Sequence, residues 1–380
     1  MPTVTFPGRP IASYPVVSLF YKTFRFATVI ARLPIWFLTL SLFRRARPVP
    51  TWNIKQSIML WIFTKSIDII SRIEVPVPRS LEPDKEKERF AKLEPFPKDL
   101  YRGPLESEKV KPTTIGGTWY PAKPAEGAAV GPVVLHIHGG AFTVGTGRTE
   151  ESGAMADLFL KHGKVGLIFA PQYRLSSRPE SAPFPAALQD SLTSYLYLVR
   201  TLGIPASDIT ISGDSAGGNL VIALLRYLAE YGPELDIPQP KCAVTLSPWV
   251  APVKSLWPDF VITSNPNFHS DYLGVALCRW GAKTYIASAL PDHPYINALG
   301  HPFKTPVPIL VTLGSAEMLV VDGLEWVKEM ERVEGNEIET YIEKDAPHDT
   351  VLVAHILGFE ESAAGVARRI GEFIRQHASA

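Results

Sequence analysis

The sequence predicts an α/β protein, a mainly parallel β-sheet with helices packed on both faces. Two patterns carry this. Short β-branched runs that read as buried strands alternate with longer helical runs, and one such strand turns directly into a helix through Gly213-Asp214-Ser215-Ala216-Gly217. The 35 prolines fall in loops and at strand starts and form no repeat. A chain of 380 residues exceeds one typical domain, yet it suits one α/β core with a cap.

Residues 1–110 stand apart from the rest. The run 27–43 is dense in Leu, Ile, Phe, Trp and Val, interrupted by Arg32 and Pro34. Lys22 and Arg25 precede it, and Arg44, Arg45 and Arg47 follow. Its length is marginal for crossing a bilayer, and an internal arginine raises the cost. A second run, 54–70, carries Lys55, Lys65 and Asp68 and is more amphipathic. Three readings stay open: cap helices on an enzyme, an interfacial membrane anchor, or a transmembrane helix. The aromatic, basic-flanked pattern suits an interface. Pro10 and Pro15 break the earliest apolar run, which argues against a cleavable signal peptide. The chain has no N-x-[ST] sequon, so the expected place is the cytosol or the cytosolic face of a membrane. Residues 82–111, rich in Lys, Glu and Pro, read as a solvated linker.

Residues 111–380 read as the catalytic domain. Strands are expected near 113–120, 133–137, 165–170, 209–212, 243–246, 309–313 and 338–342. Helices are expected near 152–162, 187–202, 219–231, 322–333 and 359–377, the third of them stopped by Gly232-Pro233. The interval 251–305 breaks the alternation with aromatics and prolines and reads as a cap insertion.

Ser215 sits where a strand turns sharply into a helix, the setting of a G-x-S-x-G nucleophile elbow. The pentapeptide is common by chance; in that setting it is specific. A nucleophilic serine needs an oxyanion site. His138-Gly139-Gly140-Ala141-Phe142 follows the strand 133–137, and successive glycines let backbone N–H groups turn toward a ligand. The expected donors are Gly139, Gly140 and, directly after the nucleophile, Ala216. A flexible turn is the bland alternative. His138 reads as a hydrogen-bonding shaper of the loop.

After such an elbow the acid and then the histidine follow in chain order. Of nine histidines, His348 lies in a loop after a strand and before an apolar helical run, where catalytic groups gather. His355 and His377 read as structural, and His293 and His301 flank prolines in the cap interval. For the acid, Glu317 lies just beyond the strand-ending Gly314, placed to hold the histidine tautomer. Asp322 is the competitor, at a helix start where an acid also caps. Asp345 and Asp349 flank His348 too locally to orient its ring.

These residues, with Tyr173-Arg174-Leu175, the Pro183–Asp190 stretch, Gly218-Asn219-Leu220 and Leu246-Ser247-Pro248-Trp249, resemble the hormone-sensitive-lipase-like branch of the α/β-hydrolase family. The resemblance spans roughly residues 110–380 and is most similar to fungal members. It implies the α/β-hydrolase fold and an esterase or lipase that uses no metal or organic cofactor. It also implies Ser215 as nucleophile, His348 as base, and Gly139, Gly140 and Ala216 as oxyanion donors. The family acid is usually an aspartate in Asp-Pro-Leu; here Glu317-Met318-Leu319 stands in its place. Ala141 replaces the usual third glycine of the oxyanion loop.

Composition excludes other classes. The formal net charge is zero and no basic stripe with interleaved aromatics occurs, so nucleic acid is not an expected partner. Cys242 and Cys278 lack metal-ligand spacing and read as reduced core thiols. The expected activity is hydrolysis of a small-molecule carboxylic ester, a short-chain acyl or acetyl ester of a hydrophobic alcohol, through an acyl-enzyme. Acyl transfer or lactone opening would use the same triad. A receptor that has lost catalysis is a third class, which the intact serine and histidine disfavour.

Overall fold

Runs of β-branched and apolar residues become strands here, the central ones buried on both sides and the two edge strands partly exposed. The computed structural model, which describes residues 10–125 and 131–377, contains β1 (Phe90–Leu93), β2 (Ile115–Tyr120), β3 (Val133–Ile137), β4 (Leu167–Gln172), β5 (Ile209–Asp214), β6 (Cys242–Leu246), β7 (Ile309–Gly314) and β8 (Ile338–Glu343). They form one eight-stranded sheet in the order β1-β2-β4-β3-β5-β6-β7-β8. β2 runs antiparallel to β1 and β4; every other neighbouring pair is parallel.

The helices are α1 (Pro15–Leu42), α2 (Ile54–Ile73), α3 (Thr149–Leu158), α4 (Ala186–Leu196), α5 (Ala216–Leu235), α6 (Asp259–Thr263), α7 (Val275–Ile286), α8 (Val320–Glu331), α9 (Thr350–Leu357) and α10 (Glu360–Gln376). Side chains alternate across the sheet as strand geometry requires. Val133, Leu135 and Ile137 join the core with α4, α5 and α8, whereas Val134 joins a second core with α3 and α10. This is the α/β-hydrolase fold, with helices on both faces. Parallel neighbours bring the C-terminal ends of β5, β6, β7 and β8 to one edge, where loops can meet.

Two expectations are corrected. The helix after Ser215 does not stop at Gly232-Pro233 but runs on to Leu235, with Pro233 inside its last turn. Burial of Leu235 in the core favours that turn, and a left-handed Asp236 ends it. Residues 82–111 are not a solvated linker. They contain β1, and Leu93, Leu100, Tyr101 and Leu105 are buried. Tyr101 Oη lies 2.7 Å from Thr193 Oγ1 on α4, which fastens the segment to the core.

The N-terminal arm is helical well beyond the predicted run. α1 starts at Pro15, a residue preorganised for the first helical position. α2 starts on a capping box in which Asn53 and Gln56 each satisfy the other's backbone N–H. The two helices pack together through an Arg25–Asp68 ion pair at 2.8 Å and a Trp36–Trp61 edge contact. α2 also packs on α7, from the 251–305 interval. The outward face of α1 keeps Leu19, Phe20, Phe24 and Ile30 exposed. By length and composition α1 could cross a membrane.

Candidate active site

β5 delivers Ser215 onto its turn with φ 51° and ψ −114°, a backbone region that L-residues rarely adopt. Such strain costs about 1–3 kcal/mol and persists where surroundings over-determine it. Three bonds do so. Ser215 N–H donates to Leu246 O (2.8 Å), and its carbonyl accepts from Asn219 N (3.1 Å) and Trp249 N (2.9 Å). Gly217 lets α5 start against β3, since a side chain there would overlap the Ile137 carbonyl.

Ser215 and His348 line one cavity of about 110 Å³ beneath α2 and α7. Gly140, Ala141, Asp214 and Asp349 share it, and Phe63, Ile67, Trp249, Leu277 and Cys278 are among its apolar walls. Cys242 and Cys278 are both free and buried.

His348 follows β8 and Glu317 follows β7. Glu317 Oε2 lies 3.5 Å from His348 Nδ1, an ion-pair distance longer than a formed hydrogen bond. The same oxygen accepts Ser247 Oγ–H at 2.5 Å. Burial alone would depress the His348 pKa, but the nearby Glu317 carboxylate, with Asp271 and Asp214 beyond, holds it above its ordinary value. Asp322 is elsewhere, paired with Lys254 Nζ at 2.7 Å.

The 251–305 interval grips the acid turn from above. Asn267 Nδ2 donates to Glu317 O (2.9 Å), Ser270 Oγ to Ala316 O (2.8 Å), and Asp271 Oδ2 accepts Met318 N–H (2.6 Å). Burial pushes the Asp271 pKa up to about 6. Below, the histidine loop is tied to the start of the α2 arm. Trp52 Nε1 donates to Asp345 O at 2.6 Å and Thr51 Oγ1 to Asp345 Oδ2 at 3.0 Å.

One expected oxyanion donor is corrected. Gly139 N–H already donates to Asp214 Oδ1 at 2.9 Å, so it is spent on a carboxylate and is absent from the cavity lining. Gly140 (φ 96°) and Ala141 (φ 52°) are the loop residues that reach the cavity. Ala141 fits because α7 presents Gly281, whose missing side chain leaves room for its methyl and carbonyl. Ala216 opens α5 directly after Ser215. His138 stacks on Tyr173 (4.2 Å between centroids), contacts Gly139 O through Nδ1 at 2.8 Å, and is driven by burial to a pKa of about 4. It stays neutral and shapes the loop.

Of the other histidines, His355 is exposed on α9, His301 pairs with Asp292, and His293 packs on Phe184. Sequence reasoning missed Ser247, Asp271 and the role of Asp214. Ser247 lies in a stretch already singled out, Leu246-Ser247-Pro248-Trp249, but nothing local marks its partner.

A family model described as the alpha/beta hydrolase fold matches residues 134–352. The chain belongs to the α/β-hydrolase family. Within it, this α/β-hydrolase is 29% identical over 245 residues to an acetyl-hydrolase of Streptomyces hygroscopicus, covering 64% of this chain and 72% of that protein. It is 39% identical over 106 residues to the hormone-sensitive lipase of Mus musculus, covering 26% of this chain and 13% of the lipase. A crystal structure of a hormone-sensitive lipase from a metagenome library superposes with a TM-score of 0.57 at 25% identity, over 69% of this chain and 82% of the other. The α/β-hydrolase thus has hormone-sensitive-lipase-like relatives and structural neighbours, and the comparisons support a carboxylesterase-like hydrolase.

Proposed function

We propose that the protein is a serine carboxylesterase with Ser215, His348 and Glu317 as its triad. The observation that carries this is a strained Ser215 sharing one small cavity with His348, which lies 3.5 Å from the buried Glu317. His348 Nε2 takes the Ser215 proton as Oγ attacks the ester carbonyl, and Glu317 stabilises the imidazolium. The Gly140, Ala141 and Ala216 N–H groups hold the oxyanion. His348 then protonates the leaving alcohol, and water releases the acid by the reverse path. No step calls for a metal or organic cofactor.

The cavity of about 110 Å³ supports a short acyl group, acetyl above all, since pockets for drug-sized ligands run to roughly 300 Å³ or more. The printed name of the Streptomyces relative supports the same acyl group. The apolar walls suit a hydrophobic alcohol, and residues 251–305 with α1 and α2 act as the cap over the sheet domain, to which β1 and the buried residues up to Leu105 belong. The exposed outer face of α1 rests on a membrane surface, with the catalytic domain on the cytosolic side. Arg25 and Trp36 face α2 rather than lipid, which favours lying in the interface over spanning it. A serine-directed phosphonate tests the chemistry: it adds once, at Ser215. Labelling elsewhere, or none, overturns the mechanism.

A further inference from the structure

The carboxyl groups of Asp214 and Asp349 line the same small cavity, next in the chain to Ser215 and His348, and each is felt by the other. Each is 4% exposed. Asp214 Oδ1 is saturated, by Gly139 N–H at 2.9 Å and His136 Nε2 at 3.1 Å. Asp214 Oδ2 and both oxygens of Asp349 make no formed hydrogen bond among the described residues, although the Leu352 N–H in the first turn of α9 lies toward the Asp349 carboxyl and favours its charged form. Asp349 N–H goes instead to Ser247 Oγ at 3.2 Å, and its backbone is held left-handed at φ 44°.

Two ionised carboxylates buried in one small cavity, with three oxygens that make no formed hydrogen bond, repel and lack solvation. One proton between them removes the repulsion and makes a short charge-assisted O–H···O⁻ bond. We propose that Asp349 is a protonated positioning residue, which donates its carboxyl proton to Asp214 Oδ2 and so locks the oxyanion loop to the His348 loop. The proton belongs to Asp349 because Asp214 already takes two donors on Oδ1 and keeps its charge for them. Consistently, burial and then the Asp214 charge push the Asp349 pKa well above the carboxylate range. Burial also acts on Asp214, but the hydrogen bond and charge of His136 outweigh it and lower that pKa.

The other groups facing the pair do not replace this proton. His138 lies on the Asp214 side, and Glu317 adds negative charge on the Asp349 side. Tyr272 faces both aspartates, and His348 is the chain neighbour of Asp349. The consequence is mechanical and electrostatic. Asp214 precedes Ser215, Asp349 follows His348, and Gly139 precedes the donors Gly140 and Ala141, so one proton ties nucleophile, base and oxyanion loop together. An ionised Asp349 would also set a negative charge in the cavity where the oxyanion develops. The catalytic half of this inference rests on the esterase reading above; the proton itself does not.

The test therefore has two arms. Difference infrared spectroscopy of the full chain should show a protonated-carboxyl C=O band that is lost in Asp349→Asn; no such band in the wild type overturns the proposal, whatever the activity. In kinetics on a short-chain acetyl ester, Asp349→Ala should lower kcat about ten- to a hundredfold, as loss of an orienting partner does. Asp349→Asn, whose amide N–H can still donate to Asp214, should recover most of that loss and should lack the alkaline limb on which wild-type Asp349 deprotonates. If Asn is as damaging as Ala, or its alkaline limb superimposes on the wild type, the proposal fails. Should Asp349→Ala not fold, the Asn pH profile and the infrared band still decide.

Discussion

Asp271 Oδ2 accepts the backbone N–H of Met318 at 2.6 Å, so a carboxylate from the roof of the cavity fixes the residue next to Glu317. The acid of the proposed triad is thus held from three directions. Ser247 binds its carboxylate, Asn267 its carbonyl, and Asp271 the peptide after it. Hydrogen bonds to the carboxylate and to the backbone on both sides of it limit the geometries this buried side chain can take.

Removing the nucleophile should remove the chemistry and little else. Ser215→Ala is expected to lower kcat by about 10⁴-fold or more with folding intact. Steady-state hydrolysis of a chromogenic acetyl ester, with circular dichroism alongside, measures both. Full activity in the alanine variant would end the mechanism.

The two candidate acids should separate cleanly. Glu317→Gln removes the charge beside His348 and should lose a large part of kcat, whereas Asp322→Asn only breaks a contact with Lys254. The reverse ranking in the same assay would move the acid to Asp322.

The pH profile should report the carboxylates around His348. As a general base His348 must be neutral, and its raised pKa places the acid limb of kcat/KM above the ordinary histidine value of about 6.5. Asp271→Asn removes a negative charge that favours the imidazolium, so the limb should move to lower pH. Stability follows the same sign. The contribution from His348 is complete below the unfolded pKa and is lost as pH rises through the higher folded one. An unmoved or upward-shifted limb in Asp271→Asn contradicts this account.

The outer face of α1 should bind anionic vesicles. Replacing Phe20 and Phe24 together by glutamate should abolish flotation with vesicles containing phosphatidylserine while sparing the catalytic rate on a soluble ester. Removing residues 1–48 is the coarser test, since it also strips Arg25 and Trp36 from α2. A full-length protein that neither floats nor needs detergent rules the membrane surface out.

Much of the architecture is legible in the sequence because its signals are local. β3, β5, β6 and β7 are fully buried and read as short runs dominated by apolar and β-branched residues. Ser215 stands out because its turn needs small neighbours, and Glu317 and His348 because they follow strands. β1 escaped notice: four residues with Lys92 facing solvent, inside a charged stretch, leave no period to read. Gly139 misled for a different reason. A Gly-Gly turn advertises free N–H groups, but Asp214, which captures this one, lies 75 residues away. Asp271 and Ser247 act through backbone and side-chain bonds across the fold, and no spacing encodes those.

Phe63 and Ile67 stand on α2, far upstream of the 134–352 stretch that the family model covers, yet they wall the reaction cavity. The shared stretch holds Ser215, Glu317 and His348, the proposed nucleophile, acid and base; the unshared arm supplies part of the wall around them. Chemistry and selectivity therefore sit on separately variable pieces of one chain. Drift in α2 can retune which esters are accepted and leave the bond-breaking apparatus intact. Because the other side of α2 carries α1, the same drift also alters how the exposed apolar face of α1 is presented.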